Sequence, residues 1–159
     1  MGYSNKYKGL YSKKKPTKRK AIGEKSYSEL EKLLDRDFSE YIRLRDANSQ
    51  GYVSCITCGK YFYWSDGHHI NCGHFISRKR KSVRFNEINC HGQCVTCNYH
   101  NHGEPDIYRY RLVEIYGKEV VENLESESRL GSRLSNEEMR EKIVYYRNRV
   151  KLLKEEKGL

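Results

Sequence analysis

The 159-residue chain is polar, with 36% hydrophobic and 33% charged residues and a formal net charge of +10. A chain of this size makes one compact domain plus a tail, and a core this thin leans on a metal or a partner subunit. The sequence contains no apolar run long enough to span a bilayer, and the basic N-terminus lacks the apolar stretch of a secretory signal. The expectation is therefore a cytosolic protein with no membrane partner, reduced thiols and a polyanion, foremost nucleic acid, as its target.

Residues 1–25 read as a disordered basic arm, in which nine lysines and arginines face one acid, Glu24. Such an arm suits non-specific phosphate contact, or serves only as a solubilising tail. A helix is expected from about Ser28 to Ala47. Ser28 and Glu31 fit a capping box, and Leu30, Leu33, Leu34, Phe38, Tyr41 and Ile42 share one face. After Gly51 the pattern turns to short β-type runs: Tyr52–Val53, Tyr61–Trp64, His69–Ile70, Phe75–Ile76 and Val83–Phe85. Helical patterning returns with Ile107, Tyr110, Arg111 and Tyr116, ending at Gly117, and then with Val120, Val121 and Leu124. Ser135 and Glu138 open a last helix with the stripe Met139, Ile143, Tyr146, Val150 and Leu153. That long, highly charged helix is either a dimerisation element or a solvated helix packed on the core. The domain reading is a basic arm over 1–25, a zinc-clamped domain over 26–130 and a C-terminal helix over 131–159.

All six cysteines lie between Tyr52 and Cys97. Cys55-Ile-Thr-Cys58 and Cys94-Val-Thr-Cys97 are two C-x-x-C pairs about 35 residues apart. Four thiolates so spaced suit a closed tetrahedral Zn²⁺ site that clamps the two ends of a subdomain and supplies folding free energy. A redox dithiol needs only one such pair and a βαβ setting. Cys72 and Cys90 stand outside the pairs and read as buried filler ahead of a ligand role.

Between the pairs lie Cys72-Gly-His-Phe-Ile-Ser-Arg78 and Arg84-Phe-Asn-Glu-Ile-Asn89, and Asn98 follows Cys97 directly. The order His74, Asn89, Asn98 resembles the zinc-containing HNH nucleases. The longer string is closer still to the phage lambda NinG (Rap) recombination family. It runs from Tyr41-Ile-Arg-Leu-Arg-Asp46 through both cysteine pairs to Tyr108-Arg109 and Tyr116-Gly117. This resemblance covers about residues 36–125 and implies an α+β fold. Its core would be a zinc-clamped ββα-metal (HNH, His-Me finger) unit, flanked by an N-terminal helix and C-terminal helices. It further implies an endonuclease of phage recombination that cuts branched DNA such as Holliday junctions and D-loops, in the cytoplasm of a phage-infected or prophage-carrying bacterium. Paired cuts on a junction would call for a homodimer, with the last helix as the candidate contact.

On this reading His74 is the base that activates water, and Asn89 bonds the backbone or the ring to orient it. Asn98 offers a carbonyl oxygen to a catalytic Mg²⁺ or Mn²⁺, or merely caps the following helix. Arg78, Lys79, Arg80, Lys81 and Arg84 contact DNA phosphates. Many HNH enzymes carry an acidic metal ligand just before the histidine, where this chain has Gly73; His100, His102, Asp66 and His91 are the candidate second ligands. Two other readings remain: an HNH enzyme nicking ordinary duplex, and a zinc module that binds DNA without cutting it.

Overall fold

Ser26 sets the start of the first long helix. Its hydroxyl accepts the Glu29 N–H at 3.4 Å, and the Glu29 carboxylate accepts the Ser26 N–H at 2.8 Å. The capping box thus sits two residues before the Ser28–Glu31 pair expected from sequence, and α1 spans Tyr27–Arg45. Glu31 is left free to meet cations from elsewhere. The computed structural model describes residues 21–159. Most of the expected basic arm, residues 1–20, lies outside that range, while Ile22–Glu24 at its end forms a 3-10 turn.

Two small antiparallel hairpins follow. β1 (Tyr52–Ser54) pairs with β2 (Tyr61–Tyr63), and β3 (Ile70–His74) pairs with β4 (Cys90–Cys94). The runs Phe75–Ile76 and Val83–Phe85, read as strands from sequence, instead belong to the loop joining β3 to β4. The hairpins touch at Gly92, where a Cβ would lie 2.3 Å from Cγ1 of Val53, so only glycine permits this approach. There the Ile56 N–H donates to the Gly92 carbonyl at 2.9 Å.

A π-type turn over Thr96–His100 leads out of β4, and α2 spans Pro105–Tyr116, with proline at its start where an N–H has no helical partner. The buried face of α2 is Tyr108 and Leu112, whereas Ile107 and Tyr110, taken from sequence as its stripe, are exposed. α3 (Lys118–Glu127) buries Val121 and Leu124.

The last helix, α4 (Asn136–Lys157), opens on the expected Ser135–Glu138 box and buries all five residues of its stripe. Fully burying such side chains is worth about 2 kcal/mol each. Its main contact is α1. Arg147 meets Asp37 at 2.7 Å, Lys154 meets Glu40 at 2.9 Å, and Lys157 donates to the Leu44 carbonyl at 2.9 Å. The partners rise together along both chains, so the two helices run parallel. The stripe packs on the chain's own core, chiefly against α1. The whole is a mixed α+β architecture, and no helix among the described residues is long and apolar enough to cross a membrane.

Candidate metal centre and adjoining pocket

The β1–β2 turn carries Cys55 and Cys58, while Cys94 ends β4 and Cys97 lies in the π-type turn. Folding the second hairpin against the first brings all four sulfurs within 4.8 Å of one another. Cys58 and Cys94 are 3.8 Å apart. A tetrahedral ion with zinc–sulfur bonds of about 2.3 Å needs sulfurs about 3.8 Å apart, so the donor set fits a metal such as zinc. Burial opposes ionisation of Cys55, but the N–H groups of Cys58 and Cys94 and the Thr57 hydroxyl bring its thiol down to about 6. Burial pushes Cys97 up to about 12. One thiolate is therefore prepared by the backbone, while burial opposes ionisation of Cys94 and Cys97 until a cation offsets their charge.

Beside this cluster lies an open pocket of about 280 Å³ lined by Cys72, His74, Phe75, Ser77, Arg78, Asn98, His102 and Gly103. His74 ends β3, and its Nε2–H donates to the Arg84 carbonyl at 3.0 Å. That bond fixes the tautomer and leaves the Nδ1 lone pair as the acceptor. Burial, and then the charge of Arg78, push the imidazole down to about 4, so the ring stays neutral near pH 7. At the rim, His102, Gly103 and Glu104 all have positive φ (55°, 88° and 51°). This tight turn is held in part by Gln93, whose amide donates to the Gly103 carbonyl at 2.8 Å.

The family model described as Bacteriophage Lambda NinG protein matches residues 5–156 of this sequence. The chain belongs to the NinG family. Among its relatives is protein ninG of Escherichia phage lambda, 34% identical over 97 residues, which is 60% of this chain and 43% of the phage protein. Protein ninG of Salmonella phage P22 is 30% identical over 129 residues, 80% of this chain and 59% of that one. The chain thus spans about half the length of the curated NinG relatives it matches. No solved structure matches it.

Of the site residues read from the NinG-like motifs, His74, Asn98 and Arg78 meet in the pocket. Lys79 and Arg80 are exposed beside them. Lys81 and Arg84 point elsewhere. Lys81 pairs with Glu31 at 2.5 Å. Arg84 chelates Asp35, with Nε at 3.0 Å from Oδ1, and reaches Glu31 at 3.3 Å. The part of Arg84 that serves the pocket is its carbonyl, held in place by the two acids of α1. Spacing in the sequence cannot reveal that role.

Asn89 is fully buried and is not among the residues lining the pocket. Its side chain accepts the Ile76 N–H at 2.7 Å and donates to the carbonyls of Ile76 and Val83, each at 3.0 Å. This staples the long β3–β4 loop that carries Arg84. Of the four candidate second ligands, only His102 lines the pocket. His91 lies between Tyr116 at 3.0 Å and Asp46 at 3.2 Å, and Asp66 binds His69 at 2.7 Å. Gly73 has no space for the acid that sequence comparison would place there. A Cβ would lie 2.3 Å from Gln93 Oε1 and 2.6 Å from Gln93 Cβ.

Proposed function

We propose that the protein is a metal-dependent, structure-specific DNA endonuclease of the HNH type, acting on branched DNA of phage recombination such as Holliday junctions and D-loops. The observation that carries the reading is the meeting of a neutral, tautomer-fixed His74 with Asn98 and the exposed Arg78 in one open pocket. A branched substrate rests on the NinG resemblance; the net charge of +10 argues only for a polyanion.

In this reading His74 Nδ1 takes the proton of the attacking water. The Arg84 carbonyl and, behind it, Asn89 hold the ring at the angle this requires. Arg78 takes a non-bridging phosphate oxygen and anchors the strand. The Asn98 side-chain carbonyl, with His102, would hold the divalent ion, which when bound offsets negative charge on the phosphate and the departing oxygen. No carboxylate is among the residues lining the pocket. Imidazole and amide donors without a carboxylate suit Mn²⁺ better than Mg²⁺, with substrate phosphate completing the shell.

The test is cleavage of synthetic four-way junction, D-loop, flap and linear duplex at one salt concentration, in Mn²⁺ and in Mg²⁺, by the wild type and by His74→Ala. Cleavage that prefers junctions and disappears in His74→Ala while DNA binding persists supports the reading. Cleavage of linear duplex at an equal rate points to a general nicking enzyme. Binding without cleavage by either protein leaves a zinc DNA-binding module.

A further inference from the structure

Cys72 and His74, two residues apart on β3, share a strand face, and Cys90 sits directly opposite His74 on β4. Their three ligand atoms lie within 4.8 Å of one another. Cys90 Sγ also lies 3.8 Å from the Arg84 carbonyl that receives His74. None of the three contributes to the four-cysteine cluster. As packing, two buried thiols would serve no better than alanine or valine; as ligands, two sulfurs and an imidazole match the three-ligand shell of an open zinc site. Cys72 and His74 also line the pocket, which offers a way in and a fourth position for water.

We propose that Cys72, His74 and Cys90 form a second metal site, for a thiophilic cation such as Zn²⁺ or Cd²⁺, in the wall of the pocket. Binding displaces the two thiol protons and engages a lone pair of His74. Where His74 is the general base, as in the function proposed above, a cation held here blocks it, and thiophilic metal acts as an inhibitor competing with the hard ion of catalysis.

The site itself is tested without reference to activity. The full chain is saturated with Cd²⁺ and its cadmium NMR spectrum recorded. Two resonances are expected, one at the position of a four-thiolate ion and one at the higher field of two thiolates plus nitrogen. Cys72→Ala and Cys90→Ala should each remove only the second. The four-thiolate signal reports in the same sample that the variant is folded, and the wild-type spectrum decides the matter even where a variant is not. A single resonance at saturation, or a second one that survives both substitutions, overturns the proposal. Zinc beyond the first equivalent should also lower junction cleavage. A second resonance in a protein that cleaves nothing in any metal keeps this site and removes only the nuclease reading.

Discussion

Asn89 treats Ile76 as a strand partner. Its amide accepts from the Ile76 N–H at 2.7 Å and donates to the Ile76 carbonyl at 3.0 Å, so one side chain replaces a rung of backbone ladder. Asn89→Ala leaves the N–H and the carbonyl of Ile76 without partners and takes one of the two bonds from the Val83 carbonyl, which keeps the Asn86 N–H at 3.2 Å; it should cost about 2 kcal/mol in denaturant unfolding. Asn89→Asp, which keeps the shape but loses both donor bonds, should be no better. A loss below about 1 kcal/mol in either variant would show that the loop is held by other contacts.

Cys58 is the exposed member of the four-cysteine cluster, so its replacement removes a ligand with little loss of packing. Cys58→Ser should lower bound zinc and drop the thermal midpoint by about 10 °C or more. Chelation of the wild type should reproduce the drop. Unchanged zinc content and midpoint in the variant would dismiss the cluster as a metal site.

The contact between Gly73 and Gln93 calls for a double-mutant cycle. Gly73→Ala alone drives a methyl into Gln93 and should destabilise by about 2 kcal/mol. Placed in a Gln93→Gly background, which removes the Cβ at 2.6 Å as well as the amide, it should cost measurably less. Strict additivity would mean that the close approach carries no energy.

Arg78 and Arg84 should separate cleanly by phenotype. Arg78→Ala, on an exposed residue, should leave stability unchanged while weakening DNA binding and reducing its salt slope by about one. Arg84→Ala leaves Asp35 partly buried without its partner, while Glu31 keeps Lys81, and should cost about 2 kcal/mol, with the salt slope nearly unaltered. Paired salt titrations and unfolding curves check both; a lowered salt slope for Arg84→Ala would return that side chain to the DNA.

Acid should find Asp46. Burial alone would raise its carboxyl, but the hydrogen bond from His91 and the charge of Arg45 outweigh that and hold it below the usual range. A carboxyl depressed in the folded state contributes stability above its unfolded value of about 3.9, and that stability disappears as pH falls through the folded value. Asp46→Asn should therefore cost about 3 kcal/mol at neutral pH. It should also flatten the fall in stability below about pH 4, read from denaturant curves across an acid series.

The long helices were legible because their signals are local. The stripe from Met139 to Leu153 repeats at helical spacing, and its buried face matches it residue for residue. The capping of α1 was ambiguous because Ser26–Glu29 and Ser28–Glu31 satisfy the same pattern; Lys81 and Arg84, some fifty residues away, claim Glu31. β4 was missed outright. Its sequence, Cys-His-Gly-Gln-Cys, has neither alternation nor β-branched residues, and it is a strand because β3 pairs with it and Asp46 accepts the Gly92 N–H at 2.8 Å. Conversely, Val83–Phe85 looks like a strand but is buried as loop, since Asn89 receives nothing from sequence spacing to announce its staple. At the pocket, the motif order named His74, Asn98 and Arg78, which the fold brings together; His102 was one of four histidine and aspartate candidates, and its place beside them, like that of the Arg84 carbonyl, depends on how the chain returns on itself.

The four sulfurs come in equal shares from the turn of one hairpin and from the exit of the other. With an ion among them, neither piece can swing open while the other stays closed. Amide hydrogen exchange in β1, β2, β4 and the Thr96–His100 turn should accordingly be governed by one shared opening event, and removing the ion should speed all of them together.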